Sequence, residues 1–138
     1  MIDRLGRRIA VYGLALEGGA VLLARVAPTY PAAGMFTLPG GGMDWGETPR
    51  QALRREFEEE TGLVPSIGDP ILVTSRVWQA DEEDGHTVHS LQIVFGAVAS
   101  GPPRPERSGS TDHAEWISLA DLSAVSVVPM VAEALALV

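Results

Sequence analysis

The residues of this 138-residue chain best suited to chemistry lie in one stretch, "LPGGGMDWGETPRQALRREFEEETGL", from Leu38 to Leu63. Three glycines, Gly40, Gly41 and Gly42, precede five glutamates: Glu47, Glu56, Glu58, Glu59 and Glu60. On a helical wheel at about 100° per residue, Gln51, Arg54 and Glu58 share a solvent face, and Ala52, Leu53 and Phe57 point to a core. Glu56, Glu59 and Glu60 share that inward half, and their i, i+3, i+4 spacing crowds three carboxylates on one surface. On an open helix such pairs cost a few tenths of a kcal/mol each. At the edge of a core, with an effective dielectric of about 20, each pair costs a few kcal/mol. Divalent cations offset that repulsion, and hard carboxylate oxygens at helical spacing suit Mg2+ or Mn2+. The plain alternative is a surface ion-pair network with Arg50, Arg54 and Arg55. The inward placement favours the metal reading. So do the glycines, which permit close backbone approach to a bound phosphate.

Several elements must position this stretch. "RRIAVYGLALEGGAVLLARV" reads as two strands, Ile9–Leu16 and Ala20–Val26, joined by a glycine turn. "MFTLPGGG" reads as a short strand entering a glycine turn. The helix runs from Glu47 or Thr48 to Glu60, with Pro49 in its first turn and Gly62 at its stop. "ILVTSRVWQ" and "TVHSLQIVFGAVAS" are strands around the acidic tip "ADEEDGH". "GPPRPERSGSTDH" is a polar loop, "AEWISL" a short strand, "ADL" a turn and "VVPMVAEALALV" a closing helix. Strands on both sides of a central helix predict one α/β domain, residues 1–138, with a mixed sheet and helices packed on it.

Composition narrows the chemistry. The chain is 46% apolar and 20% charged, as expected of a folded domain. Cysteine and lysine are both absent. This excludes thiolate nucleophiles, Cys-based metal sites, Schiff-base chemistry and a P-loop lysine. The net charge of −8 argues against a nucleic-acid polymer as partner. No apolar run approaches the roughly 20 residues of a membrane span, and no signal-type apolar segment opens the chain. A cytoplasmic location is therefore expected.

The stretch resembles the Nudix hydrolases, whose pattern is G-x5-E-x7-R-E-U-x-E-E-x-G-U, with U a bulky apolar residue. Here it reads Gly41, Glu47, Arg55, Glu56, Phe57, Glu59, Glu60, Gly62 and Leu63, with every fixed position matched. Phe57 stands where an aliphatic residue is more usual. The resemblance implies an α/β/α sandwich with a central mixed β-sheet. It also implies hydrolysis of a nucleoside diphosphate linked to another group, by water activated with Mg2+. By position, Glu56, Glu59 and Glu60 hold the metal with a backbone carbonyl near Gly40. Glu47 either joins the outer metal shell or pairs with Arg55, which orients the catalytic carboxylates. Glu60 is the first choice of general base, with Glu59 beside it. Glu82, Glu83, Glu106 and Asp112 are loop alternatives. Many relatives have an acid three residues before the late Trp, where this chain has His113.

Substrate contacts are expected from Gly41, from Arg25 and Arg76 as bidentate phosphate clamps, and from His89. Trp78, Tyr30 and Phe36 are candidates to stack on a base, with core packing the alternative for Phe36 and Trp78, and Trp116 is expected in the core. His86 and His89 lack a third metal ligand. The partner expected is a small nucleotide, with no nucleic-acid polymer and no membrane, and homodimerisation is open. ADP-ribose and nucleotide sugars are favoured. An (oxidised) nucleoside triphosphate pyrophosphatase and a non-catalytic nucleotide-binding module are the alternatives. The family's isomerase branch relies on a cysteine that this chain lacks.

Overall fold

The computed structural model describes residues 4–81, 86–104 and 109–138. In chain order the elements are β1 (Arg4–Glu17), β2 (Ala20–Val26), β3 (Phe36–Thr37), β4 (Gly40–Gly42), α1 (Pro49–Thr61), β5 (Ser66–Asp81), β6 (His86–Val98) and β7 (Thr111–Ser118). A 3-10 turn (Leu119–Ala124) and α2 (Pro129–Leu135) close the chain. Gly18 and Gly19, both at positive φ, form the two-residue turn that folds β2 back on β1.

The sheet runs β3-β2-β1-β6-β5, with β4 added to β1 and β7 to β2. It is mixed: β1 and β6 are parallel from Arg4↔His86 to Ala15↔Ala97, whereas β5 and β6 are antiparallel. Alternation along β1 sends side chains to two cores. Val11 and Ala15 pack with Leu22, Ala52, Leu53, Phe57 and Phe95 under α1. Leu14 packs with Val21, Leu23, Phe36, Val94 and Val131 under α2. Helices thus cover both faces of a mixed sheet, the sandwich expected.

Three features depart from the local reading. Gly40–Gly42 form a strand instead of a turn, because each residue pairs with β1: Ala10↔Gly42, Val11↔Gly41 and Tyr12↔Gly40. β7 begins at Thr111, inside the segment that reads as a polar loop, because Val26↔Thr111 and Arg25↔His113 pair it to β2. The last helix covers seven residues only. No helix of the described residues is long and apolar enough to cross a membrane.

Candidate active site

Helix α1 is fixed at both ends by local chemistry. Thr48 caps its N-terminus, the Thr48 hydroxyl accepting from Gln51 N–H and the Gln51 side chain accepting from Thr48 N–H. Gly62 ends it at φ 72°, and a Cβ there would lie 2.6 Å from the Arg104 carbonyl. Between these caps Ala52, Leu53 and Phe57 are buried and Gln51, Arg54 and Glu58 are exposed, as the periodicity requires. Of the three glutamates expected to point inward, Glu56 and Glu60 do, whereas Glu59 sits at the helix edge with its side chain as exposed as that of Glu58. Glu60 is 5% exposed, whereas the side chain of Glu59 is 45% exposed and that of Glu56 17%.

Arg55 organises the carboxylates. Its Nε and Nη2 donate to the two oxygens of Glu47, each at 2.8 Å. Nη2 also donates to the Gly42 carbonyl at 3.1 Å, and Nη1 to Glu56 at 2.9 Å and Glu59 at 3.5 Å. Of the two roles open to Glu47, the structure therefore displays the pairing with Arg55. That hydrogen-bonded pair, with the Asp44 N–H on Glu47 Oε1 at 2.6 Å, holds Glu47 down at about 2.

Glu60 lies at the other extreme. Burial pushes its carboxyl up to about 8, against the Gly40 N–H and the Thr111 hydroxyl, which pull it down. Gly40 N–H donates to Oε1 at 2.7 Å, whereas Oε2 is buried without a hydrogen-bond partner among the described residues. Burial raises Glu56 also, with Arg55 opposing. The glycines make this packing possible. A Cβ on Gly41 would stand 2.7 Å from the Glu56 carboxylate, and one on Gly40, at φ 151°, would stand 2.0 Å from the Val11 carbonyl.

Two groups at this site went unread in the sequence. Arg8 is in the field of Glu56 and of Tyr12, lies 3.5 Å from where a Gly42 Cβ would be, and extends over the Trp78 ring at 5.9 Å. Tyr12 lies in the field of Glu60 and Glu56; burial chiefly raises its hydroxyl, with Arg8 and Gln92 opposing. The signal was the extension of β1 back to Arg4, which places Arg8 two residues before the stretch paired with β4.

The remaining candidates fall in several places. Arg25 on β2 pairs with Asp112 at 2.9 Å, which holds Asp112 below its usual range. Arg76 pairs with Glu133 of α2, and the register Arg8↔Ser90↔Arg76 sets it on the α2 side of the sheet. His89 pairs with Arg7 and Val77 on the opposite side and is exposed. Phe36 is in the core, Tyr30 is exposed, Trp78 is partly buried against Arg8, and Trp116 packs at the edge of the α1 core, donating to the Gly101 carbonyl at 2.8 Å. Glu82, Glu83, Glu106 and the side chain of His86 lie outside the described residues.

Among the described residues, no three His, Asp or Glu side chains converge on a ready-made cation cage. The donor set nevertheless fits a hard divalent cation. It offers carboxylate oxygens of unequal depth, one of them buried without a partner, beside glycine backbone that admits no side chain.

The chain belongs to the NUDIX domain family, whose model matches residues 5–136. It is similar to an ADP-ribose pyrophosphatase of Methanocaldococcus jannaschii, with 32% identity over 103 residues. That match covers 71% of this chain and 58% of the relative's length. It is also similar to the nucleoside triphosphatase NudI of an Enterobacter species, with 42% identity over 101 residues, 68% of this chain and 70% of the relative. The crystal structure of the MutT NUDIX hydrolase from Burkholderia pseudomallei superposes with a TM-score of 0.72 at 28% identity, covering 96% of this chain and 98% of that one.

Proposed function

We propose that this chain is a Mg2+-dependent pyrophosphohydrolase that cleaves the diphosphate of a nucleoside diphosphate linked to another group, of the ADP-ribose or nucleotide-sugar type. The observation that carries the proposal is the carboxylate network, in which Arg55 ties Glu47, Glu56 and Glu59 together beside a buried, half-satisfied Glu60. A solvated acidic helix has no need of such an arrangement.

Glu56, Glu59 and Glu60, with a backbone carbonyl near Gly40, would hold the cation, and Glu47 supports them through Arg55. When bound, Mg2+ neutralises the diphosphate and acidifies water. Glu60 is the general base: its carboxylate accepts a proton from water while the water oxygen forms its bond to phosphorus. The anhydride P–O bond breaks and the leaving phosphate oxygen keeps the electron pair. Glu59, half-exposed at the helix edge, is the neighbouring catalytic carboxylate, and Arg55 reaches it at 3.5 Å. Arg8 brings cationic charge to the phosphates from β1. Gly41 leaves room beside Glu56. Arg25 and Arg76 would reach a phosphate only by leaving Asp112 and Glu133, and His89 would approach from the far sheet face.

A second substrate class, the nucleoside triphosphates, is supported by the 42% identity to the NudI protein. A panel of ADP-ribose, nucleotide sugars and nucleoside triphosphates with Mg2+ separates the two. Glu59→Gln and Glu60→Gln are each expected to lower kcat by about a hundredfold or more, the usual scale for a positioned acid or base. Full activity in both variants would remove the metal and base assignments. No turnover of any panel member by the wild type would favour the binding module.

A further inference from the structure

Trp45 is fully exposed, at 103% of its reference area, yet its backbone is held fast. Glu47 N–H donates to the Asp44 carbonyl at 3.1 Å, and Gly46 takes φ 83°, so Trp45 occupies the apex of a turn whose next residue must adopt a left-handed conformation. One flank of the turn is tied to β1 by Met43 N–H to the Ile9 carbonyl at 2.9 Å. The other is tied by Asp44 N–H to Glu47, whose carboxylate is clamped by Arg55. A rigid turn fixed to the candidate catalytic network thus presents a bare indole. Beside it lies a cavity of about 740 Å3, walled by Arg7, Arg8, Ile9, Met43, Trp45 and Glu56. That volume suits a small organic ligand, and its wall combines two arginines and apolar surface with the acids Asp44, Glu47 and Glu56.

We infer that Trp45 is the platform on which the nucleobase of the substrate stacks, with Arg8 facing the phosphates that lead to Glu56. The inference rests on the pyrophosphohydrolase reading and adds a specificity-determining residue to it. An aromatic face stacks on any base, so Trp45 selects for a planar ring and not for one base over another.

The test compares wild type, Trp45→Ala and Trp45→Phe by calorimetric binding of AMP, GMP and ribose 5-phosphate, and by KM and kcat for ADP-ribose. Because the indole is fully exposed, all three proteins are expected to share one melting temperature. Trp45→Ala is expected to weaken AMP and GMP binding and to raise KM about tenfold, with kcat within about twofold of wild type. Trp45→Phe recovers most of the loss, and ribose 5-phosphate binds all three proteins alike. Unchanged AMP and GMP binding in Trp45→Ala overturns the inference. Equal loss of AMP and ribose 5-phosphate overturns it as well. Trp45-dependent binding of the bases in a protein that hydrolyses nothing upholds the platform and overturns the hydrolase reading instead.

Discussion

Two carboxylates thirteen residues apart, Glu47 and Glu60, show how much environment decides. Glu47 accepts two hydrogen bonds from a guanidinium and stays ionised to about pH 2. Glu60 has a single backbone N–H on Oε1, lies in the core, and is pushed up to about 8. The consequences for stability have opposite signs. The contribution of Glu47 is present above its ordinary value of 4.5 and is lost as pH falls toward 2. Glu60 binds its proton more tightly folded than unfolded. Its contribution is complete below 4.5 and is lost as pH rises through about 8. In EDTA, urea denaturation is therefore expected to give a wild type less stable at pH 8.5 than at pH 5, by on the order of a few kcal/mol. Glu60→Gln, which keeps an acceptor for Gly40, should remove most of that difference. An undiminished difference in the variant would assign the pH dependence to other groups.

At the scale of elements, α1 and β1 are fitted to each other through Phe57. An aromatic ring stands here where an aliphatic residue is usual, and β1 meets it with Gly13. A Cβ on Gly13 would lie 3.0 Å from the ring, tighter than ordinary contact. Gly13→Ala is expected to cost about 1–3 kcal/mol by overpacking, and Phe57→Leu a similar amount through the space it leaves. Together the two changes should cost less than their sum by about 1 kcal/mol, because the smaller side chain makes room for the new methyl. Chemical denaturation of the single and double variants measures the coupling, and strict additivity would show that the contact carries no strain. The ends and faces of α1 were legible because caps and periodicity are local. The strand character of Gly40–Gly42 was not, since glycine has no preference for strands and pairs there only because β1 offers its edge.

At the scale of the molecule, the sandwich brings α1, β4 and the middle of β1 to one end of a mixed sheet and gathers negative charge there in a chain of net charge −8. A cation that binds only this assembled site must stabilise the whole fold by mass action. Mg2+ at about 100 times its Kd is expected to add about 2.7 kcal/mol, or roughly 8 °C in Tm for a chain of this size. Glu59→Gln and Glu60→Gln should each reduce the shift, whereas the solvent-facing Glu58→Gln should leave it intact. A shift that is equal in all three would place the cation elsewhere.

The family, the inward Glu56 and Glu60 and the helix that carries them were determined by sequence alone, because i, i+4 spacing, capping and a complete family pattern are properties of neighbouring residues. Tertiary structure decided which guanidinium meets which acid. Arg25 and Arg76 have the residue type of phosphate clamps, yet strand register delivers them to Asp112 and Glu133. Register also carries Arg8 and Tyr12 to the carboxylates, and the Arg55 clamp fixes the turn that exposes Trp45. Such contacts join residues remote in sequence, and only the pairing of β1 with β4 and β6 sets the distances between them.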